Sequence, residues 1–234
     1  MVGRGVSIRL ERYAWAAGIL FVMALVTEVV VAAGIPLSQD ASAAKMAHEL
    51  HLYETRLVVI ACLSVVYAAT FVIYLSKLCN LLRGAADRAP ALGSLVVVGG
   101  VLFIALHAVS DIGITGLLGA KLATYADQHD QGMSYMLYLM TYALDSVGDV
   151  FGSLFAFAAG ILVIRSRVLP RSLGWMAIAV GPLFFLQGFG LGGVIATFGL
   201  ILDLIGFLLF LIFVLVSSFI LLKRGNAAPE TAGR

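Results

Sequence analysis

The sequence predicts an all-α, polytopic membrane protein, and three observations carry that prediction. Of its 234 residues, 62% are hydrophobic and only 12% are charged, whereas about 25% are charged in an average soluble domain. The mean hydropathy is +1.05. The apolar residues are grouped in stretches close to the about 20 residues that a helix needs to cross the hydrocarbon core. This composition excludes a water-soluble globule, which needs more polar surface, and a disordered chain.

Six apolar stretches have the length of membrane-spanning helices. The fifth is the shortest, and Pro182 within it predicts a kink because proline removes a helical hydrogen bond. The predicted spans are residues 13–35, 54–82, 92–120, 133–164, 173–190 and 194–222. Residues 1–224 therefore form a single transmembrane domain, and residues 225–234 are expected to be a disordered cytoplasmic tail.

The distribution of Lys and Arg predicts the orientation of the chain. With the N-terminus inside the cell, 12 of the 15 Lys and Arg residues fall in inner segments, and only Lys45, Arg56 and Lys121 fall outside. Inner segments of membrane proteins carry the excess of basic residues. We therefore expect both termini to be cytoplasmic in a multi-pass protein of the plasma membrane, with membrane lipids as its partners.

The outer segment after the first span is expected to contain a short amphipathic helix. Ser38 or Asp40 can cap its N-terminus, and alanine-rich helix formers follow. Met46, Leu50 and Tyr53 recur at helical spacing and make one apolar stripe. A helix of this kind either lies on the outer membrane surface or covers the end of the bundle.

Five of the 13 acidic residues fall in the interior of the predicted spans, away from their ends. Each would cost about 2.5–3.5 kcal/mol at the centre of a helix that faces lipid, so the side chains are expected to point into the bundle. They belong to four different spans and lie at a similar depth, in the middle-to-outer part of the membrane. The sequence therefore predicts one shared polar cavity, open to the outside, formed by Glu28, Asp111, Asp145, Asp149 and Asp203.

The residue types in this set are suited to proton transfer. Asp145 and Asp149 are four residues apart, which puts their Cβ atoms about 6 Å apart on one helix face. Two carboxylates this close in a medium of low dielectric do not both ionise easily, so they are expected to titrate as a coupled pair. His107 lies one turn before Asp111 and could exchange a proton with it.

Three further residues are predicted to line the cavity. Tyr138 and Tyr142 share the helical stripe of Asp145, and Gln187 lies beside a glycine-rich hairpin at the outer mouth. The stripe on the fourth span continues with small residues, at which neighbouring helices are expected to pack closely: Gly152, Ala156 and Gly160.

The loop before the fifth span carries a distinctive run of residues. It reads Arg165-Ser166-Arg167-Val168-Leu169-Pro170-Arg171-Ser172-Leu173-Gly174. This run, with the basic N-terminus and a first span that contains Glu28, resembles a family of six-span bacterial membrane proteins, domain of unknown function 4386, which is frequent in actinobacteria. The resemblance covers residues 9–224. It implies the fold and a membrane location, and it implies no activity.

Three functions fit these features. The first is a transporter or ligand-binding protein whose acids bind a small cationic or apolar ligand, or couple movement to protons. The second is an intramembrane enzyme in which a protonated Asp is the general acid on a lipid or isoprenoid. Its cation would be sheltered by nearby aromatic side chains, namely Tyr138, Tyr142, Phe151 and Phe155. The third is an accessory structural subunit, in which the buried acids only hydrogen-bond neighbouring helices.

Other partners find little support in the sequence. A net charge of +2 gives no basis for nucleic-acid binding. His48, His51 and Glu54 share a helix face, but the polar face of the outer helix accounts for them equally well, so no metal site is predicted. No cofactor is predicted either, since Gly99-Gly100 follows no strand. The oligomeric state is left open.

Overall fold

The computed structural model describes the chain over residues 3–35, 42–112, 131–188 and 196–227. Within these residues every regular element is a helix, and there is no strand. The helices are α1 (Gly3–Ala32), α2 (Ala43–Leu52), α3 (Glu54–Ala86), α4 (Pro90–Ala108), α5 (Gln131–Ser166), α6 (Arg171–Gly188) and α7 (Ala196–Ala227). Residues 189–193 of the predicted hairpin and 228–234 of the predicted tail lie outside the described residues, and α7 extends three residues into that tail.

Five of the described helices are long and apolar enough to cross a membrane, which confirms the prediction of a polytopic helical membrane protein. Their apolar segments are Trp15–Ala32, Glu54–Ala86, Pro90–Ile112, Tyr135–Ser166 and Leu204–Lys223. Helix α6 corresponds to the fifth predicted span, but it has only 18 residues. It is not among the five helices that are long and apolar enough to cross a membrane, and it begins with Arg171 and contains Pro182.

The long helices form a closed ring in chain order. Helix α1 packs against α3, α3 against α4, α4 against α5, α5 against α6, and α6 against α7, which returns to α1. Short links at residues 87–89 and 167–170 make consecutive helices neighbours. Helix α6 therefore belongs to the same ring as the five apolar helices, between α5 and α7.

A cluster of six phenylalanine side chains, one from each helix of the ring, fills the centre of the bundle. It consists of Phe21, Phe71, Phe103, Phe155, Phe184 and Phe210, all of them buried. The ring of Phe71 lies 5.0 Å from that of Phe21 and 5.8 Å from that of Phe103, measured between centroids. Aromatic pairs at such distances add to the stability that burial already gives. The phenylalanine cluster therefore closes the interior of the ring about midway along the helices.

The buried carboxyl groups, His107 and Gln187 lie on one side of the phenylalanine cluster. In α1, Glu28 follows Phe21 along the chain, whereas in α3 Ser64 precedes Phe71. This alternation continues through the next three helices, with His107, Asp149 and Gln187 as their polar residues. Because consecutive helices run in opposite directions, the alternation gathers all of these groups at one end of the bundle. The links at residues 87–89 and 167–170, which carry Arg88 and Arg167, lie at the other end.

Helix α2 covers the polar end of the bundle, which is the second of the two positions predicted for the amphipathic helix. Its N-cap is Ser42, whose side chain accepts a hydrogen bond from the backbone N–H of Lys45. The predicted caps at Ser38 and Asp40 are therefore wrong, because the helix begins only at residue 43. Met46 and Leu50 are buried against α3 and α5.

The small residues of α5 form its packing face, as predicted. A Cβ atom at Gly152 would lie 2.6 Å from the ring of Phe103, and one at Gly160 would lie 2.6 Å from the backbone oxygen of Gly174. Ala156 is 2% exposed. Helices α4 and α6 therefore approach α5 at distances that larger side chains would not allow.

Candidate functional site

A cavity of about 280 Å³ lies between the helices on the polar side of the phenylalanine cluster. Phe21, Phe103 and Phe184 of the cluster form its floor, and Phe207 of α7 adds to its wall. The structure brings six of the predicted site residues to this cavity, from four helices: Glu28, His107, Asp111, Asp145, Asp149 and Gln187. None of the described residues that line it is a Lys or an Arg.

His107 connects α4 to α5 through Asp149. Its Nε2 atom lies 3.4 Å from Oδ1 of Asp149, and its Nδ1 atom lies 2.9 Å from the backbone oxygen of Phe103. A carbonyl oxygen can only accept, so Nδ1 carries a hydrogen and Nε2 is the nitrogen left for Asp149. The pair can therefore hold one further proton, either on the imidazole or on the carboxyl group.

Gly148 makes this contact sterically possible. A Cβ atom at position 148 would lie 2.6 Å from Cε1 and 2.6 Å from Nδ1 of His107. The imidazole therefore rests directly against the backbone of α5, one residue before Asp149. Any larger residue at position 148 would push the ring away from its partner.

Asp111 is held by a residue that sequence reasoning missed. The hydroxyl group of Tyr67 donates a hydrogen bond to Oδ2 of Asp111 at 2.5 Å, which joins α3 to α4. The chain around Asp111, residues 109–112, is wound as a π-helical turn, a rare feature that is frequent at functional sites. His107 therefore pairs with Asp149 of the neighbouring helix, while Asp111, its expected partner, bonds to Tyr67.

Only one of the two carboxyl oxygens of Glu28 has a hydrogen-bond partner among the described residues. Its Oε1 atom accepts a hydrogen bond from Ser64 at 2.8 Å, and the side chain is 6% exposed. The same Ser64 oxygen lies 2.8 Å from the backbone oxygen of Ile60. Because a hydroxyl group has one hydrogen, Ser64 can serve only one of these acceptors at a time. A protonated Glu28 could donate to Ser64 while Ser64 donates to Ile60.

Three buried oxygen atoms among the lining residues have no hydrogen-bond partner in the described part of the chain. They are Oε2 of Glu28, Oδ1 of Asp145 and Oε1 of Gln187. A buried acceptor without a donor costs about 1–3 kcal/mol. The cavity thus offers acceptors from three helices, and it can receive a molecule that brings donors.

Two of the predicted cavity residues lie elsewhere. Tyr138 and Tyr142 are not among the described residues that line the cavity. Tyr138 is seven residues before Asp145, about 10 Å along the helix, and it packs in the cluster formed by Met46 and Leu50 of α2. The two tyrosine hydroxyl groups bond to each other at 2.5 Å.

The predicted role of Asp203 cannot be followed in the same way. Its position lies in α7, one turn before the lining residue Phe207. Its side chain lies outside the described part of the structure.

Sequence reasoning also missed Ser64 and Tyr67, although both fall on the buried face of α3 together with Phe71. Polar residues on one face of an otherwise apolar span were the sequence feature that could have identified both of them.

The ring of apolar helices defines a polytopic helical membrane protein, and the cavity between its helices is lined by carboxyl groups. The chain matches the family described as Domain of unknown function (DUF4386) over residues 16–225, and it belongs to that family, as the run before α6 predicted. The matched region includes every residue of the cavity. No curated protein and no solved structure shows a significant match to the chain.

Proposed function

We propose that the protein binds a small solute in the intramembrane cavity and exchanges protons as it does so, as the binding step of a transporter. The observation that carries the proposal is the gathering of four carboxyl groups and one imidazole around a cavity of about 280 Å³. With no Lys or Arg among the described lining residues, these acids need protons or a bound cation to balance their charge. Exchange of a proton for a bound cation would couple proton movement to binding of the solute.

The pair of His107 and Asp149 is the proposed proton site. It holds one proton between Nε2 and Oδ1, and the backbone oxygen of Phe103 fixes the other ring nitrogen. Arrival of a positively charged solute beside Asp145 would disfavour that proton, because the charges repel in a medium of low dielectric. Departure of the solute would favour its return.

The orientation of the site is part of the proposal. We infer six spans, with α6 as the fifth, because Phe184 of α6 reaches the same phenylalanine cluster as the other five ring helices. Arg88 and Arg167, in the links at residues 87–89 and 167–170, lie at the end opposite the cavity. By the positive-inside rule, the cavity then belongs to the outer half of a plasma-membrane protein.

The two other candidate functions are supported unequally. The enzyme hypothesis named Tyr138, Tyr142, Phe151 and Phe155 as the aromatic shelter, and none of them is among the lining residues. The accessory-subunit hypothesis gains from the hydrogen bonds of Ser64 and Tyr67, which join helices. It leaves the unpartnered oxygens unexplained, since acids that only join helices need donors for both oxygens.

Proton flux in liposomes tests the proposal. Purified protein is inserted into vesicles that contain a pH-sensitive dye, and small cationic, neutral and anionic solutes are added outside. We expect solute-dependent proton flux with the wild type, and its loss in Asp149→Asn and His107→Gln. Asp87→Asn, an exposed carboxyl group on the link after α3, is the matched control. The proposal is wrong if no solute drives proton flux, or if both site variants keep it.

A further inference from the structure

We infer, building on the solute-binding role proposed above, that the ligand is a small organic ammonium ion. Its charged nitrogen would be held by Oε2 of Glu28 and Oδ1 of Asp145, with Gln187 beside them. Its apolar part would lie against Phe103 and Phe207. Three properties of the cavity, namely its open acceptors, its apolar wall and its volume, point to this chemical class.

The buried oxygen atoms without a donor identify the residues that would bind the ammonium group. Four carboxyl groups line the cavity, but Asp149 is engaged by His107 and Asp111 accepts from Tyr67. Glu28 and Asp145 each keep one buried oxygen without a partner in the described structure. An ammonium group has three N–H donors and no acceptor function, so it complements these two oxygens together with the unpartnered Oε1 of Gln187.

The wall of the cavity favours an organic ion over an inorganic one. Phe21, Phe103, Phe184 and Phe207 all line it. Aromatic faces attract organic cations and also pack against an apolar ligand body. A metal ion instead needs several oxygen or nitrogen ligands around it. Among the described residues, no group of three His, Cys, Asp or Glu side chains is arranged to hold one.

The volume limits the size of the ligand. A cavity of about 280 Å³ corresponds to about nine water molecules at about 30 Å³ each. This space fits a small alkyl or aryl amine. The phenylalanine cluster adjoins the cavity, so the ligand cannot extend toward the basic end of the bundle without moving these rings.

Binding of matched probes to the purified full-length protein tests the ligand class. We would measure calorimetric titrations with 2-phenylethylammonium, 2-phenylethanol, phenylacetate and sodium chloride. The first three share a phenyl group and differ in charge. We expect saturable binding of the ammonium ion, at least tenfold weaker binding of the alcohol, and none of the anion. Saturable binding of sodium without the ammonium ion, or preference for the alcohol or the anion, overturns the inference.

Site variants test the assignment of the acceptors. Glu28→Gln and Asp145→Asn should each weaken binding of 2-phenylethylammonium at least tenfold, whereas Asp87→Asn should leave it unchanged. Phe207→Leu, which keeps the cavity apolar, should weaken the ammonium ion and the alcohol to a similar extent, because both would place their phenyl group against Phe207. If the carboxyl variants do not fold, the comparison of charged and neutral probes on the wild-type protein still tests the ligand class.

The outcomes separate this inference from the proposed function. If phenylacetate or sodium drives proton flux in the vesicles and the ammonium ion does not, the ligand class is wrong and the transport proposal stands. If 2-phenylethylammonium binds with the expected selectivity but no solute moves protons, the ligand class stands and the coupling is wrong. Absence of saturable ammonium binding to folded wild-type protein overturns the ligand class outright.

Discussion

The imidazole of His107 links the backbone of its own helix to Asp149 of the next one. Nδ1 lies 2.9 Å from the carbonyl oxygen of Phe103, and Nε2 lies 3.4 Å from Oδ1 of Asp149. The first contact fixes which nitrogen carries a hydrogen, and the second presents the other nitrogen to a carboxyl group. One proton can therefore be shared between Nε2 of His107 and Oδ1 of Asp149. This position lies in the same cavity as the carboxyl groups of Glu28 and Asp145.

Enlarging Gly148 should displace His107 and abolish proton exchange. A Cβ atom there would lie 2.6 Å from the imidazole, so we expect Gly148→Val to lower the free energy of unfolding by about 1–3 kcal/mol through overpacking. Thermal denaturation and the vesicle flux assay would measure the two effects. Gly84→Ala is the control, because nothing lies within 4 Å of that position. Unaltered flux in a folded Gly148→Val protein would contradict the role of this contact.

Removing the hydroxyl group of Ser64 should destabilise the protein by leaving Glu28 without a donor. The bond between them is 2.8 Å long and both residues are buried. We expect Ser64→Ala to lower the free energy of unfolding by about 1–3 kcal/mol. A double-mutant cycle with Glu28→Gln, read by chemical denaturation, should give a coupling energy of about 0.5–3 kcal/mol. A coupling energy near zero would show that the bond contributes nothing to stability.

Tyr67 and Tyr74 offer a matched pair on opposite sides of the phenylalanine cluster. Tyr67 bonds to Asp111 at the cavity, whereas Tyr74 bonds to Ser217 at 2.8 Å in the other half of the bundle. Each change to Phe should lower the free energy of unfolding by about 1–3 kcal/mol. Only Tyr67→Phe should also change proton flux, because only Tyr67 contacts a carboxyl group of the cavity. Equal effects of both variants on flux would argue against a separate role for the cavity.

Labelling of introduced cysteines would test the orientation of the bundle. In a protein whose Cys62 and Cys79 are replaced by Ser, Ser42→Cys and Asp87→Cys put exposed thiols at opposite ends. We expect a membrane-impermeant maleimide to label position 42 in intact cells and position 87 only after permeabilisation. The reverse pattern would invert the orientation and move the cavity to the cytoplasmic half.

The pairing of the polar groups depended on the arrangement of the helices. Within one helix, positions three or four residues apart share a face, so Asp145 and Asp149 could be assigned to one side. His107 was expected to bond to Asp111 one turn away for the same reason. The structure pairs it with Asp149 of α5, and Asp111 bonds to Tyr67 of α3. Partners across helices depend on the order of the ring and on the rotation of each helix, which a linear pattern does not contain.

The sequence by itself determined the class of protein, because the length of an apolar stretch and the cost of a carboxyl group in hydrocarbon are local properties. The position of Glu28 in an apolar span was enough to predict that it points into the bundle. Only the tertiary structure decided that Tyr138 packs beneath α2 and that six phenylalanine side chains close the interior below the acids. Those features arise from contacts between helices far apart in the chain, where side-chain shape selects one packing among many that hydropathy allows.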